Sequence, residues 1–271
     1  MSFLRSFFRH VTRNARTDWL FILPSLALIA LLGLPLLAII WKAVGEDFLA
    51  FALAPSALQA MRLSLLTSTV SCLLSVALGT PLAYVLARWK FYGKTALELL
   101  VDLPVLLPPS VAGLALLVAF GRRGLFGGWL DLLGLSLPFT TAAVVLAQTF
   151  VAAPLFVRSA KAGFAEIDPQ LEEAAHVEGA DQWRVFRHVM FPLAWRALLT
   201  GAVLSWARAL GEFGATILFA GNLEGVTQTM PMAIYLGLER GLGVALALSV
   251  VLVGVSAILL AVIRTLEARS R

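Results

Sequence analysis

The sequence predicts an all-α integral membrane protein with about six membrane-spanning helices. Three observations carry that expectation. Of the 271 residues, 60% are hydrophobic and only 14% charged, whereas an average soluble domain carries about 25% charged residues. A mean hydropathy of +0.89 leaves too little polar surface to face water on all sides. Six apolar runs, near 19–41, 63–87, 97–120, 142–158, 197–220 and 243–263, approach or reach the ~20 residues that a bilayer-crossing helix needs. Finally, the basic residues are distributed unevenly about those runs.

The first run follows Arg5, Arg9, Arg13 and Arg16, as a secretory signal would. A cleavable signal has an apolar core of only about 7–15 residues. Trp19 to Trp41 is of spanning length, so a retained first helix is expected at 19–41, behind a cytoplasmic segment 1–18. The second run is continuous. The third contains Pro104, Pro108 and Pro109 and should be broken or kinked. Such breaks are tolerated in membranes where protein or a cavity satisfies the freed backbone groups. The fourth is short and can begin near Leu137. The fifth is expected as one helix that holds Arg208 and Glu212. The sixth leaves 265–271 as a tail. With the amino terminus inside, 15 of the 21 Lys and Arg residues fall on inner segments and 5 on outer ones, and Arg208 lies within a run. The positive-inside rule then places both termini in the cytoplasm.

Composition also excludes function classes. The net charge of +5 is spread along the chain and forms no single patch, so nucleic acid is not an expected partner. His10, His176 and His188 have no metal-ligand spacing, and Cys72 is the only cysteine. Gly93-Lys94-Thr95 mimics the end of a phosphate-binding loop, but the required first glycine is replaced by Arg88 and the strand is missing. No catalytic residue, metal or cofactor is therefore expected.

The long polar segment 159–195 carries nine of the 37 charged residues and is net acidic by three. Asp168-Pro169 reads as an N-cap with proline in the first turn. A short helix should stop at Gly179, and Asp181 should cap a second, amphipathic helix. Val185, Phe186, Val189 and Met190 would share its apolar face, with Arg184, Arg187 and His188 on the other side. A helix lying on the membrane surface is one reading, but an anionic leaflet repels an acidic segment, which favours a protein partner.

Glu173-Ala174-Ala175, three residues, Gly179, nine residues and then Val189-Met190-Phe191-Pro192 resembles the EAA loop of ATP-binding-cassette (ABC) importer permeases. The spacing matches throughout, and Val189 and Phe191 stand conservatively where the family has Ile and Leu. The resemblance covers roughly 59–264, with 159–195 as the coupling loop. It implies the type I ABC importer permease fold and a loop that docks in a groove on the ATPase. The partners implied are ABC ATPase subunits, a periplasmic or lipid-anchored substrate-binding protein and a second permease copy. The location implied is the bacterial inner membrane. Ala207 through Thr216, Ala220 through Leu223 and Thr227 through Pro231 are similar to molybdate-type permeases, as are Asp102-Leu103-Pro104 and Leu107 through Gly113. The implied substrate is an oxyanion, molybdate first, with tungstate and sulfate as alternatives.

The translocation-pathway candidates are Pro108, Pro109, Gly113, Arg208, Glu212 and Gly214. Arg208 and Glu212 have two readings: a self-neutralising i,i+4 pair that eases insertion, or a pair on the pathway where the guanidinium moderates an anion's field. The proline cluster is either a plain helix distortion or a lining of the pathway. Asp102 is expected in a structural ion pair near Lys94. Asn222 to Pro231 should face outward, as a binding-protein contact or an ordinary outer loop. A secondary transporter would need ion-coupling carboxylates and a repeat, and Glu212 alone offers little toward that. A membrane-embedded enzyme would need clustered His, Asp, Glu or Cys, which is absent.

Overall fold

The computed structural model describes residues 19–44 and 47–268. The expectations for 1–18 and for 269–271 fall outside the described residues. Among the described residues all regular structure is helical. Helix α1 is Trp19–Val44, followed by the short α2, Phe48–Ala52, and the long α3, Pro55–Arg88. Helices α4, Lys94–Leu106, and α5, Pro109–Phe120, form a pair bent by 117°. After the short α6, Gly127–Leu132, comes α7, Thr141–Ala165. The polar segment holds α8, Pro169–Val177, and α9, Gln182–Val185. A π-helical turn, Phe186–Met190, then leads into α10, Phe191–Leu210. The chain ends with α11, Gly214–Ala220, α12, Met230–Arg240, and α13, Leu242–Ala268. Among the described residues five continuous rods are long and apolar enough to cross a bilayer, and the bent α4–α5 pair brings the number to six when it is counted as one broken span.

The third span breaks where the prolines require it. Leu107 is extended, with φ −68° and ψ 137°, because a following proline drives a residue out of the helical region. Pro108 and Pro109 then contribute no N–H to continue the ladder.

Three expectations need correction. The fifth apolar run is not one helix: α10 stops at Leu210 and α11 restarts at Gly214. Glu212 falls in the gap, where its Oε1 accepts the Ala215 N–H at 2.9 Å and so competes with helix continuation. The amphipathic helix after Asp181 is not separate either. Gln182–Leu210 forms one rod of 29 residues. Pro192 cannot donate to the carbonyl one turn earlier and its ring crowds that carbonyl. The helix widens locally into the π turn, where the Phe191 N–H reaches the Phe186 carbonyl, and continues. Lastly, the segment 222–231 is not an open surface throughout: Leu223 to Val226 are exposed, but Thr227, Gln228, Thr229 and Met230 are buried. The Met230 N–H donates to Ser64 Oγ on α3 at 2.7 Å, and α12 folds back as a hairpin on α13.

The bundle is organised on α7, with α3 and α10 packed along it. Small residues allow the close approach that helix association in lipid requires. Ser64, Ser68, Ser71, Ser75 and Gly79 recur along the buried side of α3. Ser71 Oγ donates to the Val145 carbonyl at 2.9 Å, and Ser159 Oγ donates to the Ala197 carbonyl at 2.8 Å. These bonds tie α3 to α7 and α7 to α10. Gly163 lies directly under Ala197, and any Cβ there would collide with it. Gly163→Val should therefore lower the thermal midpoint of the purified protein by the equivalent of about 1–3 kcal/mol, the usual cost of overpacking. An unchanged midpoint would mean that this crossing is loose.

Candidate coupling loop and broken-helix site

Two regions concentrate the residues singled out by sequence. In the loop, the Asp168 side chain accepts the Gln170 N–H at 2.9 Å, with Pro169 in the first turn of α8. Helix α8 ends in a Schellman motif: the Ala180 N–H bonds the Ala175 carbonyl and the Gly179 N–H bonds the His176 carbonyl, each at 3.0 Å. The motif requires a left-handed residue, and Gly179 supplies it at φ 82°. Asp181 Oδ1 then caps the rod through the Arg184 N–H at 2.8 Å.

Neighbouring residues of α8 divide between two faces. Glu173, Ala174 and Gly179 are exposed, whereas Glu172 and Ala175 turn toward the bundle. Val177 is 86% exposed and Trp183 65%, so the outer side of the loop is apolar as well as acidic. The amphipathic face after Asp181 is not free to lie on a membrane. Val185 and Met190 are buried in a cluster with Tyr84, Phe156 and Phe164, and Phe186 and Val189 pack against it. Pro192 is exposed in the first turn of α10.

The second region is where the broken α4–α5 pair meets the break between α10 and α11. Gly214, the first residue of α11, lies directly on Pro109, the first residue of α5. One turn on, a Cβ on Gly113 would stand 2.8 Å from the Ala215 carbonyl oxygen and from Leu218 Cβ. The two half-helices therefore run side by side in the same direction from breaks at the same level. Pro108 and Pro109 are exposed while Gly113 is buried. Arg208 Nη1 and Glu212 Oε2 are 2.6 Å apart; the Glu212 side chain is 1% exposed and that of Arg208 36%. The pair spans a helix end: the cation sits in the last turn of α10 and the carboxylate caps α11. Both placements agree with the helix dipoles.

Asp102 is paired structurally as expected, but with a different partner. Arg158 Nε lies 2.5 Å from its Oδ1, and Lys161 Nζ lies 2.6 Å from Glu98 Oε1. These two pairs fasten α4 to α7. Lys94, at the start of α4 and about two turns before Asp102, instead donates to the Trp89 carbonyl at 3.4 Å. Sequence reasoning missed the groups beneath α8. Tyr84 Oη donates to Glu172 Oε1 and accepts from Gln182 Nε2, both at 2.7 Å. Arg88 lies 3.4 Å from Glu172 Oε2 and donates to the Ile167 carbonyl at 2.7 Å. The available signal was a hydroxyl and a cation one turn apart at the end of a span, facing an acidic loop. No group of three His, Cys, Asp or Glu residues suited to a metal occurs among the described residues.

A helical bundle with one helix pair bent at prolines, a helix interrupted at a buried carboxylate and a glycine-turned loop has the fold of an ABC importer's membrane-spanning subunit. The fold matches a solved bacterial ABC transporter involved in the import of the acidic polysaccharide alginate, with a TM-score of 0.72 over 98% of each chain at 17% identity. Residues 79–271 match the family described as binding-protein-dependent transport system inner membrane component, and the chain belongs to that family. It is 47% identical over 197 residues to the putative molybdenum transport system permease protein YvgM of Bacillus subtilis, covering 70% of this chain and 87% of that one. It is 43% identical over 240 residues to the molybdenum transport system permease protein ModB of Mycobacterium bovis, covering 89% and 90%.

Proposed function

We propose that this chain is the membrane-spanning permease of an ATP-driven importer for molybdate, and that ATP is hydrolysed by a separate subunit. The observation that carries the substrate class is the 43% identity to a molybdenum transport permease across nine-tenths of both chains. The site chemistry agrees with an anionic cargo, because a partly exposed guanidinium, Arg208, stands in the last turn of α10, just before the break whose far side, Gly214, rests on Pro109.

In this reading 159–195 is the coupling loop and lies in the cytoplasm with both termini. Glu173, Ala174, Ala175, Gly179, Val189 and Pro192 form or support the surface that meets the ATPase. Two permease copies line the pathway with Pro108, Pro109, Gly113, Arg208, Glu212 and Gly214. A periplasmic or lipid-anchored binding protein delivers the oxyanion to the opposite mouth. Burial of the apolar face of 185–190 favours docking over a surface helix, because it removes the face that would enter the headgroups.

The test is reconstitution with the ATPase and binding protein in liposomes. ATP-dependent uptake of molybdate is expected, with tungstate competing and sulfate not. Sulfate uptake without molybdate uptake would overturn the substrate. Orientation is tested separately in a Cys72→Ala background with single cysteines at Ser56, Ser136 and Glu178. An impermeant thiol reagent added outside is expected to label 56 and 136 only. Labelling at 178 from outside would invert the topology.

A further inference from the structure

Helix α8 has no buried residue of its own, and its one hydrophobic contact with the core is the half-buried Ala175. The loop nevertheless sits in a fixed place. What holds it is the network of Tyr84, Arg88, Glu172 and Gln182. We infer that this network is the joint through which displacement of the coupling loop enters the bundle, with Glu172 as the positioning residue. The inference rests on the reading of 159–195 as the loop that meets the ATPase.

Besides the short chain link from α7 through residues 166–168, the loop is connected to the bundle along two lines. One is covalent: the rod Gln182–Leu210 runs from the loop to the Arg208–Glu212 break. The other is the joint, which ties α8 to the end of α3. The side chains of Arg88 and Glu172 are 11% and 17% exposed. Charge attraction at such a site is screened much less than on an open surface. The Tyr84 hydroxyl holds both lines at once, bonding Glu172 on α8 and Gln182 at the start of the rod. Its ring is wedged edge-on against Phe164 of α7 and Phe186 of the π turn, with centroids 5.5 and 5.3 Å away. A push on the Gly179 turn therefore moves α3, α7 and the rod together. Without the carboxylate, α8 would swing on its flanking connections, and only the rod would follow. Glu172 faces inward while its neighbour Glu173 faces outward, so the two acids divide the work: one grips the permease and the other is presented to the partner.

The experiment uses the whole transporter in liposomes, with molybdate uptake and ATP hydrolysis read from the same vesicles. Glu172→Gln keeps the shape and loses the charge; Tyr84→Phe is the milder variant should the first insert poorly. Glu172→Gln is expected to keep its ATPase subunits on purification and to hydrolyse ATP. Its uptake per ATP should fall about five- to tenfold, at the low end of coupling energies between sites. Tyr84→Phe should act in the same direction. The double variant should be little worse than Glu172→Gln, since both changes act on one carboxylate. Wild-type uptake per ATP in both single variants, while Gly179→Val still disables the complex, would overturn the joint and leave the loop reading intact. Loss of the ATPase from Glu172→Gln would make Glu172 part of the docking face and overturn the joint as well. Wild-type behaviour of Gly179→Val would remove the loop reading, and the joint with it.

Discussion

Gly179→Val is expected to leave the permease inserted and folded, yet to lose its ATPase subunits on purification or to hold them without transport. The residue closes α8 at φ 82°, where a side chain costs roughly 1–2 kcal/mol. Nothing lies within 4 Å of where its Cβ would stand, so the permease itself offers no clash. The spans pack elsewhere, and a strained turn outside them does not unfold the bundle. The effect falls on whatever the exposed turn enters, because a branched side chain both distorts the Schellman motif and fills the space of a close-fitting groove. Glu173→Lys should act in the same direction more mildly, by reversing an exposed charge. Gly134→Val is the matched control. Gly134 has φ 68° and equally open surroundings, in the connection between α6 and α7, so it carries the same backbone strain away from the loop. It should leave ATPase association unchanged. Wild-type molybdate uptake by Gly179→Val in liposomes would mean that the loop is not the coupling element.

The contrast between these glycines also shows how far sequence reached. The loop was legible because each of its features has a local cause. Asp168 and Asp181 cap helices through their own side chains, and Gly179 adopts a conformation that few other residues tolerate. The break at Leu107 was legible for the same reason, since Pro108 acts on its own neighbour. The break at Gly211–Phe213 was not. Arg208 and Glu212 read equally well as an i,i+4 pair within one helix, and the competing bond from Ala215 to Glu212 carries no more signal than a carboxylate between two glycines. The joint under α8 and the contact of Pro109 with Gly214 join residues 88 and 105 positions apart. Only tertiary packing brings such residues together, and no periodicity in a single chain encodes it. The continuous rod shows the reverse error: the amphipathic helix after Asp181 and the fifth run were expected apart, but the hydrogen bond that Pro192 removes is absorbed by a π turn and the helix runs on.

The Arg208–Glu212 pair separates stability from transport, and the two open readings of it predict different double variants. Arg208→Met should be severely destabilising, by about 3–5 kcal/mol, because it leaves a buried carboxylate with one backbone N–H as its remaining partner. Glu212→Met should cost less, because the partly exposed Arg208 stays hydrated and the loss falls mainly on the bond that caps α11. The double variant Arg208→Met/Glu212→Met leaves no uncompensated charge. Replacing a buried pair by apolar side chains of similar size is often neutral for stability, so its thermal midpoint should return close to that of the wild type, short of the lost cap. Uptake should not return with it. Arg208 keeps a third of its side chain exposed one turn before the Gly211–Phe213 break, where a doubly charged oxyanion crossing an apolar interior needs a compensating field. Molybdate uptake of the double variant in liposomes is therefore expected to stay at least about tenfold below the wild type, the equivalent of losing one modest charged contact to the moving ion. Recovery of uptake along with the midpoint would assign the pair to architecture alone and move the anion's path to the exposed Pro108–Pro109 side of the same junction.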